Sequence, residues 1–324
     1  MELRMGQLAP GWFDVLRCPV CKQELDRGGQ SHFVCREPRC GRAFPIIDGR
    51  PVLINEDRSV FRIDDFVARR QTTFRRGGKL KRMVSRLLPG TSVNLKAREN
   101  FLNFKRLLLQ NASQPKVLIV GGGEIGQGLN AILASEQIDF IQSDVSFEPR
   151  TELICDCHDL PYPEEYFDGV IIQAVLEHVV DPYRCLEEIY RILRTGGIIY
   201  VETPFLQPVH MGRYDFTRFT DLGLRRLCRQ FEEIDRGAVC GTGTALAGAY
   251  QAFLKSLTRS KAGRKVLAAF GRVTSFWLKY FDYWSIDTPA SLDGASGLFF
   301  MGRKSNSVLS DGDLLELYRG ASSV

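Results

Sequence analysis

No run of apolar residues in this 324-residue chain approaches the ~20 that cross a bilayer as a helix, so a helical membrane-spanning class is not expected. Met1 to Val15 lacks the basic-then-apolar layout of a secretory signal, and the expected location is the cytoplasm. Compositional bias is absent too: 44% hydrophobic, 25% charged and 10% aromatic residues exclude collagen-like and wholly disordered chains. The length exceeds one average domain, which implies one large domain plus an accessory piece. The net charge of +5 is mild. Positive charge nevertheless gathers between Arg58 and Arg106, where Arg69, Arg70, Arg75, Arg76, Lys79, Lys81, Arg82 and Arg86 face few acids. Such a stretch suits an anionic partner or a solvated connector.

Cysteine is unevenly placed, with four of the nine before residue 41. Cys18-Pro19-Val20-Cys21 and Cys35-Arg36-Glu37-Pro38-Arg39-Cys40 form two short knuckles. Cys18, Cys21, Cys35 and Cys40 complete a closed tetrahedral set of four sulfurs, which makes the expected zinc structural and not catalytic. Folding free energy from the metal replaces what ~50 residues can hardly obtain from apolar burial. After the second knuckle, Ala43 to Ile54 reads as strand, Asp-Gly turn and strand. Residues Cys18 to Ile54 resemble the small zinc-ribbon family whose members bind and activate methyltransferases of tRNA and translation factors. That resemblance implies a stabilising or substrate-presenting role.

From Pro115 the pattern changes. Lys116-Val117-Leu118-Ile119-Val120 reads as a buried parallel strand, followed by Gly121-Gly122-Gly123-Glu124-Ile125-Gly126 and a helical segment. Glycines at 121, 123 and 126 let the backbone approach a ligand closely, and a helix N-terminus offers free amides. Asp144, at the end of the strand Phe140 to Asp144, stands where an acid holds ribose hydroxyls. These features also fit a dehydrogenase.

The discriminating run lies downstream. Cys155-Asp156-Cys157-His158-Asp159-Leu160-Pro161 through Asp168 resembles the third motif of class I S-adenosylmethionine-dependent methyltransferases. Phe167 to Gln173 resembles their fourth strand, and Asp181 through Val201 the helix and strand that follow in the type 11 group. The likeness runs from Val117 to about Phe231. It implies that Asp156 accepts from the adenine amine, that the Cys157 amide meets a ring nitrogen, and that Gln173 and Ala174 lie near the methionine portion. Ile119 departs from the pattern, standing where many relatives carry an acid that supports the glycine turn. Asp181-Pro182 reads as an N-cap with proline at the first helical position, and Gly196-Gly197 as the helix stop.

Beyond the fifth strand, Thr203 to Thr220 gathers His210, Asp215, Arg218 and aromatics at a strand's carboxyl end, where open sheets bind ligands. It resembles a motif recurring in type 11 members, and that resemblance implies sugar and natural-product enzymes among the relatives. His210 is the candidate general base or acceptor-orienting group, with Asp215 as its partner. His178 reads as a packed or capping residue and His158 as solvent-facing. Leu246 to Tyr283 mixes basic and apolar residues at helical spacing, which suggests amphipathic helices that lid the acceptor pocket or lie on an anionic membrane surface.

The expected architecture is α/β: a Rossmann-like, doubly wound, seven-stranded sheet with a small N-terminal zinc ribbon. Its parts are the ribbon (1–56), a basic helical linker (57–112), the methyltransferase domain (113–304) with a helical insertion (246–290), and a polar tail (305–324). The expected function is S-adenosylmethionine-dependent O-methylation of a sugar, glycan or other small metabolite, with structural zinc. Methylation of RNA or a translation factor is the alternative, and a non-catalytic binding platform a third.

Overall fold

The computed structural model describes residues 8–72 and 88–321. Arg75, Arg76, Lys79, Lys81, Arg82 and Arg86 of the basic stretch lie outside the described residues.

Four short strands build the cysteine module: β1 (Leu25–Gly28), β2 (His32–Cys35), β3 (Ala43–Ile47) and β4 (Arg50–Leu53). Helices α1 (Ile63–Val67) and α2 (Ala97–Asn111) follow. The second of these is no solvated connector, because Phe101 and Phe104 are fully buried against the sheet. Next come β5 (Lys116–Val120), α3 (Asn130–Leu133), β6 (Asp139–Asp144), β7 (Leu153–Cys155) and β8 (Phe167–Gln173). The chain continues through α4 (Pro182–Ile192), β9 (Leu193–Pro204), α5 (Asp221–Leu227) and β10 (Phe231–Cys240). Helices α6 (Thr242–Ser256) and α7 (Lys261–Ser275) precede β11 (Gly297–Lys304).

Strands from residue 116 onward take the order β7-β6-β5-β8-β9-β11-β10, with β11 antiparallel to both neighbours. This is the expected seven-stranded doubly wound sheet. Its central strands have no solvated face, which is why β5 and β8 read as unbroken apolar runs: Val117, Leu118, Val170, Ile171 and Ile172 are all fully buried. Asp181 caps α4 by accepting from Arg184 N at 3.1 Å, and Pro182 opens the first turn. The helix ends at Ile192, earlier than the glycine pair, and β9 starts at Leu193. Gly196, at φ +78°, sits inside β9 where its register with β8 shifts. A left-handed residue there suits glycine.

The sheet does not stop at β7. Val52 pairs with Ile154 and Leu53 with Cys155 in parallel, so the four ribbon strands extend the sheet to eleven. Trp12 stacks on Phe167, ring centres 5.9 Å apart, and Arg17 N donates to the Pro161 carbonyl at 2.9 Å. Lys22 Nζ meets Glu188 Oε2 at 2.8 Å. Ribbon residues Leu16, Phe33 and Phe44 share one hydrophobic core with Leu118 and Val170 of the large sheet. The accessory module is part of the core and not a tethered appendage.

Between β10 and β11, α6 and α7 pack on each other, and buried Asp282 accepts from Gly243 N and Thr244 N to satisfy the first turn of α6. No helix among the described residues is long and apolar enough to cross a membrane.

Replacing Trp12 with Ala opens a hole where ribbon and sheet meet, with an expected loss of about 3 kcal/mol in unfolding free energy. Denaturant unfolding measures it, with Leu246→Ala on the exposed face of α6 as the reference. A Trp12→Ala loss no larger than that of the reference would mean the ribbon is not docked.

Candidate functional site

At the carboxyl ends of β5, β6, β7 and β8 lies an open cavity of about 310 Å³, placed where a doubly wound sheet reverses its strand order. The first loop reaches it because Gly121 adopts φ +72°, and a Cβ there would meet Val175 at 2.3 Å. A Cβ on Gly123 would lie 2.7 Å from Asp144 Oδ2, and one on Gly126 1.7 Å from Gln173 Oε1. A Cβ at Gly121 or Gly123 has no room, whereas at Gly126 it meets only the movable tip of Gln173; of the three, only Gly121 lines the cavity.

Asp144 and Asp156 both do. Asp144 Oδ2 accepts from Gly123 N at 3.1 Å and Oδ1 from Ser146 Oγ at 2.8 Å, while burial pushes its pKa up. Asp156 Oδ1 accepts from His158 N at 3.1 Å and is 2.6 Å from His158 Nδ1, and Oδ2 accepts from Ser59 Oγ at 2.5 Å. Burial opposes its ionisation, yet these donors hold its pKa below the usual carboxylate range. His158 is therefore not the solvent-facing residue expected: it is 6% exposed, with Nε2 accepting from Asp181 N at 3.1 Å. A short spacing in sequence allowed the ring to fold back on the carboxylate two residues before it.

Gln173 turns away from the cavity. Its Nε2 donates to Gln127 O at 3.0 Å and to Glu202 Oε2 at 2.9 Å, behind the glycine loop. Ala174, at φ +55°, takes the wall position with Val175, and Cys157 lines the floor.

At the far end of the same cavity His210, Met211 and Tyr214 meet His178. His210 Nε2 is 3.0 Å from His178 Nε2, with the rings edge to face. Asp215 is held by both arms of Arg218, one at 2.8 Å, and accepts from His210 N at 2.9 Å. That fork and the His210 amide hold Asp215 well below the usual carboxylate range. Burial lowers His210 and pushes His178 down to about 4, so both rings are neutral near pH 7. Beside them stands Glu177, only 1% exposed, its pKa pushed up to about 8 by burial.

Five contributors escaped sequence reasoning. Val60 and Phe61 form part of the wall and Ser59 binds Asp156, all supplied by the segment just after the ribbon. Glu177 and His178 follow the fourth strand, but their burial beside a loop 32 residues away is a tertiary fact. None of residues 246–290 lines the cavity: Phe253, Phe270 and Trp284 of the insertion are more than half exposed and point outward, so it does not form the expected lid.

The cysteine module matches its expectation. Cys18 and Cys40 sulfurs are 3.8 Å apart, Cys21 and Cys35 3.3 Å, and all four lie within 4.8 Å of one another. Four sulfurs at ~2.3 Å from one zinc ion stand about 3.8 Å apart. Burial pushes the Cys18 thiol up to about 11, so a dication is what makes four thiolates tolerable together.

Residues 128–201 match the model of a methyltransferase domain, and residues 13–49 that of a Trm112p-like protein. The segment that matches a Trm112p-like protein and the one that matches a methyltransferase domain thus contribute strands to one sheet. A demethylmenaquinone methyltransferase from Clavibacter sepedonicus is 29% identical over 96 residues, 29% of this chain and 34% of that protein. A rice chloroplastic 2-methyl-6-phytyl-1,4-hydroquinone methyltransferase is 38% identical over 55 residues, 17% of this chain and 16% of its own length. The chain thus spans about a third or less of these relatives. A solved complex of the Haloferax volcanii Trm112 methyltransferase activator with a methyltransferase superposes with a TM-score of 0.38 at 20% identity, covering 62% of this chain and 88% of the matched one.

Cys18→Ser is expected to abolish the thiolate-to-metal absorption of cobalt-substituted protein and to red-shift Trp12 fluorescence as the ribbon undocks. Unchanged spectra would mean these sulfurs hold no metal.

Proposed function

We propose that this chain is an S-adenosylmethionine-dependent methyltransferase that methylates a hydroxyl of a small acceptor, such as a sugar, a glycan or another metabolite. One observation carries the reading: a single open cavity runs from Gly121, Asp144 and Asp156 to His178, His210 and Tyr214. The donor, when bound, supplies an electrophilic methyl group on a sulfonium.

The residues divide the work. Each Asp144 oxygen already takes one protein donor and keeps a lone pair for a ribose hydroxyl. Asp156 keeps one lone pair on Oδ2, enough for the adenine amine, and the Cys157 backbone faces the ring. Gly123, Gly126 and Gln173 shape the loop from behind. At the acceptor end, His210 Nε2 is neutral and receives or orients the acceptor hydroxyl, while Asp215 fixes the ring from its other side, 3.4 Å from Nδ1. Alignment of the two reactants supplies most of the acceleration in such a displacement. The segment just after the Trm112p-like one supports the domain from within, through Ser59 and Phe61.

A second reading concerns where the acceptor resides. Phe253, Leu257, Val266, Phe270 and Trp284 are each more than half exposed, and Lys255, Lys261, Arg264 and Lys265 flank them on α6 and α7. That pattern favours an acceptor presented at an anionic lipid surface.

Titration calorimetry should show the donor binding to the full chain, and Asp144→Ala should weaken it by about 10- to 100-fold, the worth of a hydrogen bond to a charged group. Failure of the donor to bind, or preferential binding of a nicotinamide dinucleotide, sinks the reading. Sedimentation with phosphatidylglycerol vesicles, but not with phosphatidylcholine ones, is expected and should weaken in Trp284→Ser. Equal behaviour with both lipids removes the surface-docking reading.

A further inference from the structure

The strongest unexplained feature is Glu177. Its carboxylate is 1% exposed, and neither oxygen has a hydrogen-bond partner among the described residues. An isolated buried carboxylate of this kind is costly and calls for a partner.

What faces it is equally short of donors. Glu177 Oε1 is 3.6 Å from His178 Nε2 and 3.8 Å from His210 Nε2, and the two nitrogens are 3.0 Å apart. His178 Nδ1 is 2.8 Å from the Tyr214 carbonyl, which only accepts, so the ring proton sits on Nδ1 and the lone pair on Nε2. His210 Nδ1 faces Asp215 Oδ2 at 3.4 Å, again an acceptor, and Asp215 is pinned by Arg218. Two imidazole lone pairs and a carboxylate oxygen therefore converge on one point. Only a positive centre between them reconciles three such atoms: the proton that burial keeps on the Glu177 carboxyl, or a metal ion in its place.

The spacing suits a cation. A point about 2.0 Å from all three atoms exists in this triangle, the distance at which imidazole and carboxylate bind a first-row divalent ion. Both histidines carry an oxygen acceptor on the far nitrogen, the outer arrangement that fixes a ligating ring. His178 and His210 also line the cavity, which leaves further coordination positions open toward it. Two imidazoles and one carboxylate with open positions make a catalytic type of site, unlike the closed four-sulfur one.

We propose that Glu177, His178 and His210 bind a divalent transition-metal ion that holds the acceptor hydroxyl for methylation, so that His210 orients the acceptor through the ion and does not itself take its proton. This inference rests on the methyltransferase reading above. The acceptor oxygen binds the ion and releases its proton to water, because a bound dication lowers the pKa of a ligated hydroxyl. The oxygen then forms its bond to the donor methyl carbon as the carbon–sulfur bond breaks, its electron pair remaining on sulfur.

The test uses the full chain, stripped with a chelator, dialysed against zinc or manganese and analysed for bound metal. About two ions per chain are expected with zinc, one at each of two sites of known ligand type. Glu177→Gln, His178→Ala and His210→Ala should each lower this to about one, and Cys18→Ser should remove the other instead. Glu177→Gln preserves side-chain volume, and circular dichroism confirms its fold. One ion in the parent chain that disappears with Cys18→Ser, or a second ion that survives His178→Ala and His210→Ala, overturns the proposal. Calorimetry with the donor on the same samples separates the two readings: metal loss with donor binding intact indicts the site, whereas two ions without donor binding indicts the methyltransferase reading and leaves the metal site standing.

Discussion

A carboxylate with 5% exposure has to be satisfied by the protein around it, and Asp156 is satisfied from two sides at once. His158, two residues along the chain, supplies an amide and a ring nitrogen, and Ser59, 97 residues away, supplies a hydroxyl. The first is local and costs little order to form. The second exists only if β4 lies along β7, because that pairing sets the loop bearing Ser59 and Phe61 against the cavity. The Asp156 end of the candidate site therefore depends on the docking of a module that carries none of the domain's own motifs. Asn55 repeats the arrangement one layer deeper, donating to Asp159 at 3.0 Å while Arg184 and Lys22 reach the same carboxylate from the opposite side.

Much of this was legible in the sequence, for physical reasons. Parallel strands buried on both faces have to be continuously apolar, so Val117 to Val120 and Val170 to Ile172 announced themselves. Glycines 121, 123 and 126 were readable because a side chain at each collides with a neighbour in the fold. Cysteine knuckles were readable because four sulfurs around one ion permit few spacings. What could not be read is whatever depends on two distant segments meeting. His158 carries no mark that it bends onto Asp156, and Gln173 none that it prefers Glu202 to the cavity. Nor does Glu177 show that burial strips it of water beside His210. The helices of the insertion were found, but which way their apolar faces turn is settled by packing alone.

The two ends of the cavity obey opposite electrostatic rules. Around Asp144 and Asp156, donors outnumber the charges, and the carboxylates are held by amides and hydroxyls with a lone pair to spare. Around Glu177, His178 and His210, acceptors face acceptors. The first end is built to receive hydroxyl and amine hydrogens, the second to receive something electron-poor. Two such ends in one cavity suit a reaction in which one partner is gripped by its polar rim and the other must be made nucleophilic.

Covalent fusion gives the ribbon its leverage. Strand β4 touches β7 through two register pairs. Val52, Leu53 and Ile54 are nonetheless buried to 1% exposure or less, each contributing about 1.5–3 kcal/mol against water. Two independent molecules would have to offset the entropy of association from that gain, whereas residues of one chain do not. A small, metal-dependent module can then serve as a permanent wall of the site. The same economy has a consequence: the four-sulfur cluster organises the strands that lead to Ser59, so the Asp156 end of the cavity is only as ordered as the fold those sulfurs hold together.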